Sequence, residues 1–495
     1  MFRGYSQDVK PIVWLKAENF NDSLSYWQNE MNDSLNAQRF SSLNTFSTIN
    51  FNPAINIQSF DEGFELDIDL NSARTLTTII VYQTLDTINE CGIWGIDYLN
   101  DRKLILTSNN YITPKKTYHY ADTNNLKPEI NTILYNVAKT DVDSLNKYKI
   151  ARYDTLPFVG KVAEFLLFDK SLRGKDLLIY QTYLAIKYGV SLIDKDYING
   201  NNDTIWRMNN IYTQNIAGIS KDTIFRLNQK QSQSSILPEI TMGLNSIDSL
   251  NELNQSYLSP MSSIIWADNG LDFTETELIF DSFGMPLEIS SKKWMVQLNG
   301  QQTVDNYKLI LAPNNLKFKQ TDECMLLINR SGNGDFLFEN YEIIFPDSIS
   351  TDGKVYFSNI NWDIDGNGTD VFAFSVQISE TNSSFSSDTQ VQNSDNESNN
   401  SRHKNNELLN TEKGKEVIIS ILPNPSNGDF VISIDGSEVD NYSISIFDSR
   451  GGMVLKPKHH TANKILLKEK IDNPGVYFVK IVSDKTNKVV KVVIN

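Results

Sequence analysis

Cysteine and histidine are the scarcest reactive side chains in this sequence of 495 residues. It contains two cysteines, Cys91 and Cys324, which stand far apart and give no basis for a disulfide framework or a thiolate metal cluster. We expect both to be free, buried thiols. The four histidines are His119, His403, His459 and His460. They do not form a Ser/His/Asp pattern, an HExxH zinc helix or a Cys/His zinc site.

Long apolar runs and excess positive charge are also missing. No run approaches the roughly 18 apolar residues of a membrane span, so we expect a chain that does not cross a membrane. With 61 acidic and 45 basic side chains the net charge is −16, which repels phosphate backbones and excludes nucleic acid as an expected partner. The start, "MFRGYSQDVKPIVWL", lacks the apolar core of a secretory signal.

The first region alternates like a half-buried sheet. In "FELDIDL" the apolar residues from Phe64 to Leu70 share one face, and Glu65, Asp67 and Asp69 share the other. The runs "TLTTIIVYQTL" and "KVAEFLLFD" are continuously apolar, as central strands are. Turn-rich segments separate these runs. We therefore predict an antiparallel β-sandwich over residues 1–195.

One helix interrupts the strands, within "SLRGKDLLIYQTYLAIKYGVSL". Its apolar residues recur at helical spacing, while Lys175, Gln181 and Lys187 fall at other positions, and Gly189 suits the residue that follows the last turn. We expect this helix to cap the first domain near residue 195.

Short strands resume after the helix and predict a second β domain over residues 196–378. They include "IAGIS", "EITMGL", "SSIIWAD", "KKWMVQL", "YKLILA", "CMLLINR", "KVYFSNI" and "DVFAFSVQI". Residues 379–412 hold almost no branched aliphatic side chains, so they predict a flexible polar linker. Residues 413–495 return to short alternating strands and predict a small immunoglobulin-like sandwich. The expected fold class is thus all-β and multidomain, with one capping helix.

The last region carries four ordered motifs: "LPNPSNGDFVISI", "ISIFDSRGGMV", "NPGVYFVKI" and "KVVKVVI". Together they resemble the type A C-terminal sorting domain of proteins exported by the type IX secretion system of Bacteroidota. The residues that match the motifs are Pro423, Asn424, Pro425, Gly428, Gly475 and Tyr477. The prolines fix φ and withhold amide donors, which defines an unpaired entry edge.

This resemblance implies an export signal that an outer-membrane translocon recognises, and a secreted or surface-anchored protein. Because the chain lacks a signal sequence, and "GYSQ" resembles the end of one cut after Gln7, we expect the sequence to begin inside a longer precursor.

The upstream region, over most of residues 10–377, resembles the laminin-G/concanavalin-like modules of large surface proteins in the same bacteria. The stretches that carry this resemblance include "IVWLKAENF", "FNPAINI", "VAEFLLFDKSL" and "YQTYLAIKYGVSL". Such sandwiches occur in lectins, adhesins, glycoside hydrolases and inert spacers, so the resemblance does not choose among these functions.

A recurring triplet, Asp-Ser/Thr-Leu/Ile, begins at nine aspartates, where composition predicts roughly three. They are Asp22, Asp33, Asp86, Asp143, Asp154, Asp203, Asp222, Asp248 and Asp347. The triplet resembles the O-glycosylation sequon of these bacteria. The alternative is that Asp-Ser and Asp-Thr favour turns at strand ends.

Two sets of acidic residues raise a chemical question. Glu65, Asp67 and Asp69 share a strand face, as the carboxylates of laminarinase-like hydrolases do, but the second glutamate of that pattern is missing and a solvent-facing strand shows the same alternation. We assign no catalytic residue.

The second set lies in "DIDGNGTD". Asp363, Asp365, Asn367 and the Thr369 carbonyl match the first ligands of a calcium loop, while Phe374 stands where the bidentate carboxylate belongs. A hairpin turn is the alternative. Calcium is thus the one cofactor to consider. The seven tryptophans are expected mainly in the core, although exposed ones would stack on sugars.

These observations predict a non-catalytic, exported β protein that acts in adhesion or carbohydrate binding, with a glycan as its expected ligand. The alternatives are a polysaccharide-degrading glycoside hydrolase on a concanavalin-like fold and a structural spacer of a surface adhesin.

Overall fold

The computed structural model describes most of the chain in two compact units. The described residues are 9–21, 23–41, 45–59, 61–70, 73–98, 102–121, 125–136, 146–280, 286–300, 306–313, 318, 324–336, 340–376, 418–422, 426, 428–448, 452–483 and 487–494. The larger unit comprises Met1–Glu277, Glu288–Phe336 and Asn340–Gln377, and the smaller one includes Ile378–Asn495. The predicted linker lies outside the described residues.

The first sixteen strands build one branched, fourteen-stranded antiparallel sheet and one small two-stranded sheet. They are β1 (Val13–Phe20), β2 (Tyr26–Asn29), β3 (Ala37–Arg39), β4 (Thr45–Ile49), β5 (Asn52–Ile57), β6 (Phe64–Ile68), β7 (Thr75–Thr84), β8 (Gly92–Tyr98), β9 (Arg102–Thr107), β10 (Asn110–Ile112), β11 (Thr117–His119), β12 (Glu129–Asn136), β13 (Asn146–Ile150), β14 (Arg152–Tyr153), β15 (Leu156–Pro157) and β16 (Gly160–Phe168). The main order is β11-β10-β9-β8-β13-β6-β3-β2-β1-β16-β5-β4, and β7 joins β16 to β12.

The two arms of this sheet enclose one hydrophobic core. The ring of Trp94 on β8 lies 5.8 Å from that of Tyr135 on β12, and Tyr148 on β13 lies 6.1 Å from Phe165 on β16. Strands from opposite arms therefore face each other as the layers of a sandwich.

The single helix of the described chain, α1 (Gly174–Tyr188), follows β16. It ends where predicted: Gly189 has a φ of 63°, and a Cβ there would lie 2.2 Å from the Gln233 carbonyl oxygen. The expectation that Lys187 lies away from the buried face of the helix is wrong. Lys187 is buried, because it forms an ion pair with the buried Glu164 on β16. The helix contacts β12 and also strands that follow it in the chain.

The second region is a sandwich of a nine-stranded and a five-stranded sheet, preceded by a short two-stranded one. Its strands are β17 (Tyr197–Ile198), β18 (Thr204–Trp206), β19 (Gln214–Asp222), β20 (Leu227–Gln229), β21 (Gln231–Gln233), β22 (Ile240–Leu244), β23 (Ser263–Asp268), β24 (Thr276–Phe280), β25 (Pro286–Ser290), β26 (Trp294–Asn299), β27 (Tyr307–Leu311), β28 (Cys324–Asn329), β29 (Glu342–Ile344), β30 (Ser348–Ile349), β31 (Val355–Ile360) and β32 (Thr369–Val376).

Residues from both of these sheets share one core. The Phe357 ring on β31 lies 5.8 Å from the Phe374 ring on β32, although these two strands belong to different sheets. The eight strands predicted from the sequence of this region are confirmed.

A buried polar layer joins the first region, the helix and the second region. Asn50, in the turn between β4 and β5, donates to the Lys187 carbonyl at 3.0 Å and to the Ser232 hydroxyl at 2.9 Å, and accepts from the Gln233 amide at 2.8 Å. Asn52 donates to the Gln229 side-chain oxygen at 3.0 Å. These bonds satisfy carbonyls at the helix end that have no partner inside the helix.

The smaller unit is a five-stranded antiparallel sheet with its own core. Its strands are β33 (Ile418–Leu422), β34 (Asp429–Asp448), β35 (Met453–Lys470), β36 (Gly475–Val482) and β37 (Asn487–Ile494). The sequence predicts short strands here, and this expectation is wrong for β34 and β35, which have 20 and 18 residues. Register shifts along this pair bend the two strands without ending them.

These results confirm the predicted all-β, multidomain fold class. The single described helix is the predicted one, and all seven tryptophans are buried. Cys91 and Cys324 are buried free thiols, and burial raises the pKa of both. The domain boundary near residue 195 stays a prediction.

Candidate functional site

The sequence-distant motif residues of the smaller unit meet at one end of its sheet. Gly475 pairs with Ile494 on β37, and the nearby Ser426 amide donates to the Val493 carbonyl at 2.8 Å. The Ser426 hydroxyl donates to the Asp429 carbonyl at 2.7 Å. The segment between the first two strands is thereby joined to the last strand. The predicted residues Pro423, Asn424 and Pro425 lie outside the described residues.

Gly428 stands where a side chain has no room. Its φ is 107°, and a Cβ would lie 2.8 Å from the Ile471 carbonyl oxygen. The Ile471 amide in turn donates to the Gly428 carbonyl at 2.9 Å. Tyr477 is buried beside this turn and donates to the Asn473 carbonyl at 2.8 Å. Gly428, Gly475 and Tyr477 thus shape one compact end, and their role as a sorting signal stays a prediction.

The larger unit holds a cavity of about 570 Å³, within the size range of small-molecule sites. Its wall combines β1, the first turns of α1 and the loop between β19 and β20. Aromatic side chains form the floor: Trp14, Tyr180 and Phe225 pack edge to face, with ring centroids 4.9 to 6.3 Å apart. Lys10, Glu30, Met31, Lys175, Asp176, Asn202, Thr223, Ile224 and Arg226 line the rest, with others.

Beneath this floor lies a buried ionic cluster. The Glu164 carboxylate, with no exposed surface, accepts hydrogen bonds from the Trp14 indole, from Lys187 at 2.9 Å and from Tyr188 at 2.7 Å. Burial alone would lower the pKa of Lys187, but Glu164 and Glu18 raise it above its ordinary value. The ammonium therefore stays charged, and the cluster fixes the indole that forms the cavity floor.

The loop between β19 and β20 is held by hydrogen bonds and aromatic packing. Asp222 accepts from the Ile224 amide at 2.9 Å and from the Gly200 amide at 2.6 Å. Phe225 points inward and stacks on Tyr183, with centroids 5.5 Å apart. Arg226 follows with a φ of 56°, a left-handed conformation that is uncommon for residues other than glycine.

A second, more polar cavity of about 330 Å³ adjoins the loop, and Arg226 lines both cavities. The lining also includes Glu18, Asn52, Lys187, Asn228, Lys230 and Glu252. No sequence motif marks either cavity, because their walls combine segments as far apart as Val9 and Arg226 in one and Glu18 and Glu252 in the other. The one local signal was the aromatic residues of the helix.

The carboxylates of "FELDIDL" lie on a solvent-facing strand surface. Glu65 forms an ion pair with the Lys147 ammonium on β13 at 2.7 Å, and the Asp67 carboxylate lies 3.6 Å from the same ammonium. They line neither of the two cavities. The strand alternation predicted for this stretch is confirmed.

The loop that holds Asp363 and Asp365 is built by its own side chains. Asp363 accepts from the Gly368 amide at 2.6 Å, and Asn367 donates to the Asp365 carboxylate at 2.7 Å. The Asn367 oxygen accepts from the Thr369 amide at 2.8 Å. The hairpin interpretation is wrong, because β31 and β32, which the loop joins, belong to different sheets.

Calcium at this loop stays a prediction. Across the described part of the chain, no three His, Cys, Asp or Glu side chains group as metal ligands.

The described residues of the Asp-Ser/Thr-Leu/Ile triplets lie in turns and at strand ends. Seven of their hydroxyl residues are exposed: Ser23, Ser34, Thr87, Thr155, Thr223, Ser249 and Ser348. Thr204 is half-buried, and Asp143 and Ser144 lie outside the described residues. Both the glycosylation and the turn interpretations are compatible with this placement.

Two family models match the chain. Residues 177–366 match the model described as "Domain of unknown function (DUF8202)". Residues 420–495 match the model described as "Secretion system C-terminal sorting domain". A search of curated proteins gave no match.

Solved structures give distant matches. The binding domain of botulinum neurotoxin serotype D has 10% identity and a TM-score of 0.26, over 70% of this chain and 82% of that one. The binding domain of botulinum neurotoxin DC in complex with SialylT has 9% identity and a TM-score of 0.25, and the match covers 99% of this chain and 100% of that one. Dimeric latent PorU from Porphyromonas gingivalis has 10% identity and a TM-score of 0.14, and the match covers 93% of this chain and 34% of that one.

The sorting domain implies export by the type IX secretion system. The protein is therefore secreted or anchored at the outer surface. The one helix within the described residues lacks the length and apolar character that a membrane crossing needs.

Proposed function

We propose that this protein is a non-catalytic, cell-surface carbohydrate-binding protein of Bacteroidota that acts in adhesion, and that an outer-membrane translocon recognises its sorting domain. The proposal keeps the predicted organisation: a laminin-G-like sandwich, a second β domain, a polar linker and the sorting domain. The cavity of about 570 Å³ in the larger unit is the observation that carries the binding function.

The cavity suits a sugar in size and chemistry. Sugar rings present apolar C–H faces and polar hydroxyl edges, and sites for such ligands combine aromatic walls with a few fixed polar groups. Here Trp14, Tyr180 and Phe225 form the aromatic floor, while Asn202 and Lys175 are polar groups of the lining. The buried Glu164 cluster holds this floor in one conformation, which lowers the ordering cost of binding.

A blocking substitution tests the proposal on the full chain. Thr223 is exposed and lines the cavity, so Thr223→Trp fills it from the rim and leaves the core intact. Thr155→Trp is the matched control, because Thr155 is also exposed, also follows an aspartate, and lines neither cavity. On an array of immobilised glycans we expect Thr223→Trp to weaken binding at least about tenfold, and the control to bind like the wild type.

Two results would overturn the proposal. Failure of the wild type to bind any glycan of the array would favour the spacer function. Release of reducing sugars from a β-glucan panel, lost on Glu65→Gln, would establish the hydrolase function instead.

A further inference from the structure

Arg226 occupies the boundary between the two cavities of the larger unit. It lines both, and its side chain is 81% exposed. Phe225 beside it is anchored in the aromatic floor, so the arginine is held at the mouth by a fixed neighbour. A guanidinium in this place reaches a ligand that enters either cavity.

The backbone at Arg226 is left-handed, at a φ of 56°. For a long side chain this conformation is unfavourable, and strained residues of this kind gather at binding sites. The preceding residues hold the Arg226 backbone in this conformation, because the Asp222 carboxylate accepts hydrogen bonds from the amides of Ile224 and Phe225.

Four acidic side chains line the cavities with Arg226, and two of them, Glu30 and Glu18, form ion pairs with lysines. Glu30 lies 3.4 Å from the Arg226 guanidinium, but 2.6 Å from the ammonium of the buried Lys16. Glu18, on the smaller cavity, lies 3.0 Å from the buried Lys187 ammonium. Because its contact with Glu30 is long and its side chain is 81% exposed, the Arg226 guanidinium can turn toward a ligand.

We propose that Arg226 selects an acidic glycan, one that carries a carboxylate or a sulfate on its sugar ring. This inference rests on the proposed carbohydrate-binding function. A planar guanidinium presents parallel donors that match the oxygens of a carboxylate or sulfate and bind them in a bidentate way. The ring lies on the aromatic floor of the larger cavity, its anionic group contacts Arg226, and the next sugar extends toward the polar smaller cavity.

Binding measured on glycans of one backbone tests this inference. Titration calorimetry of the full-length protein compares neutral, carboxylated and sulfated forms of a galactan oligosaccharide. Arg226→Gln removes the charge, and Arg226→Lys keeps the charge without the planar fork. Arg207→Gln is the matched control, because Arg207 is exposed, lines neither cavity and changes the net charge equally.

We expect Arg226→Gln to weaken binding of an acidic form at least tenfold, with neutral binding unchanged, and Arg226→Lys to recover only part of the loss. The affinity of the wild type for that form should fall more steeply with added salt than that of Arg226→Gln. Whichever acidic form binds, the carboxylated or the sulfated oligosaccharide, identifies the anionic group that Arg226 contacts.

The possible negative results distinguish acidic specificity from carbohydrate binding itself. If neutral glycans bind as tightly as acidic ones, or Arg226→Gln binds like the wild type while Thr223→Trp still blocks the cavity, the acidic specificity is wrong and carbohydrate binding stands. If the wild type binds no form, both are wrong.

Discussion

At the scale of single residues, buried charges were the features that the sequence did not reveal. Lys187 falls off the apolar positions of its helix, so helical spacing places it toward solvent. The structure buries it, because Glu164 arrives from a strand 23 residues earlier in the chain. Spacing along one element cannot show which charge another element will bring, so ion pairs of this kind escape prediction.

Lys187→Met tests the energetic weight of this pair. The substitution leaves the Glu164 carboxylate buried without its cation, so we expect the free energy of unfolding to fall by about 3 kcal/mol. Chemical denaturation measures it. The double variant Glu164→Gln with Lys187→Met should recover part of the loss, since a neutral amide needs no counter-ion. Lys195→Met, at an exposed lysine of the following loop, should change stability by less than about 0.5 kcal/mol.

Asp370 gives the molecule a defined pH dependence. Burial raises its pKa to about 6, although the Asp363 amide and Arg330 donate to it at 2.7 and 2.9 Å. Because the folded-state pKa exceeds the ordinary value, Asp370 contributes stability at low pH and loses it as pH rises through about 6. A shift of this size corresponds to about 3 kcal/mol.

Denaturation of the wild type and of Asp370→Asn across pH 4 to 8 measures this contribution. The stability of the variant relative to the wild type should rise with pH. Asp352→Asn is the control of opposite sign, because hydrogen bonds from Ser350 and Lys354 hold the pKa of Asp352 below its ordinary value. Asp352 gains its contribution as pH rises toward the ordinary value of 3.8, so the stability of Asp352→Asn relative to the wild type should stay nearly constant across pH 4 to 8. Parallel curves for Asp370→Asn and the wild type would contradict the assignment.

At the scale of elements, the sequence predicted what depends on local pattern. Period-two alternation located β6, the helix ended at Gly189, and the strands of the second region lie where their apolar runs predict. The lengths of β34 and β35 escaped prediction, because a bulge continues a strand through residues that also suit a turn. The cavities escaped because their walls converge only in three dimensions.

The turn at Asn50 joins the first region, the helix and β21, so we expect a substitution there to lower the free energy of unfolding strongly. Asn50→Ala removes hydrogen bonds to the Lys187 carbonyl, the Ser232 hydroxyl and the Gln233 amide, and places alanine at a φ of 46°. We expect a loss of about 3 kcal/mol in the free energy of unfolding. Asn201→Ala, in an exposed turn, should cost little. A small change at Asn50 would show that the buried polar layer is not required to hold the two β regions to the helix.

At the scale of the whole molecule, the sorting domain and the two cavities lie in separate compact units. The larger unit holds both cavities, and the smaller one holds the sorting domain. The motif order within residues 413–495 predicted that domain from the sequence alone, because its turns and strands follow one another locally. The larger unit has no such local signature for its cavities, which emerged only from tertiary structure.

Export of a reporter fused to residues 413–495 tests this separation. In a host with a type IX system, the fusion should reach the cell surface or medium, whereas Gly428→Ala should reduce export by destabilising the domain by about 2 kcal/mol. Gly452→Ala is the matched control, since its new Cβ would meet only the flexible Asp448 carboxylate. Equal export of both glycine variants would contradict a role for the Gly428 end.

The hydrogen bond between the Ser426 amide and the Val493 carbonyl also sets a mechanical property. A force that pulls on the chain before β33, against a grip on β37, is shared between this contact and the strand pairs β33–β34, β34–β36 and β36–β37. The central strands β34 and β36 therefore carry load, while β35, which pairs with β34 alone, lies off the direct path. The Ser426 contact gives the two ends of the module a second, parallel connection.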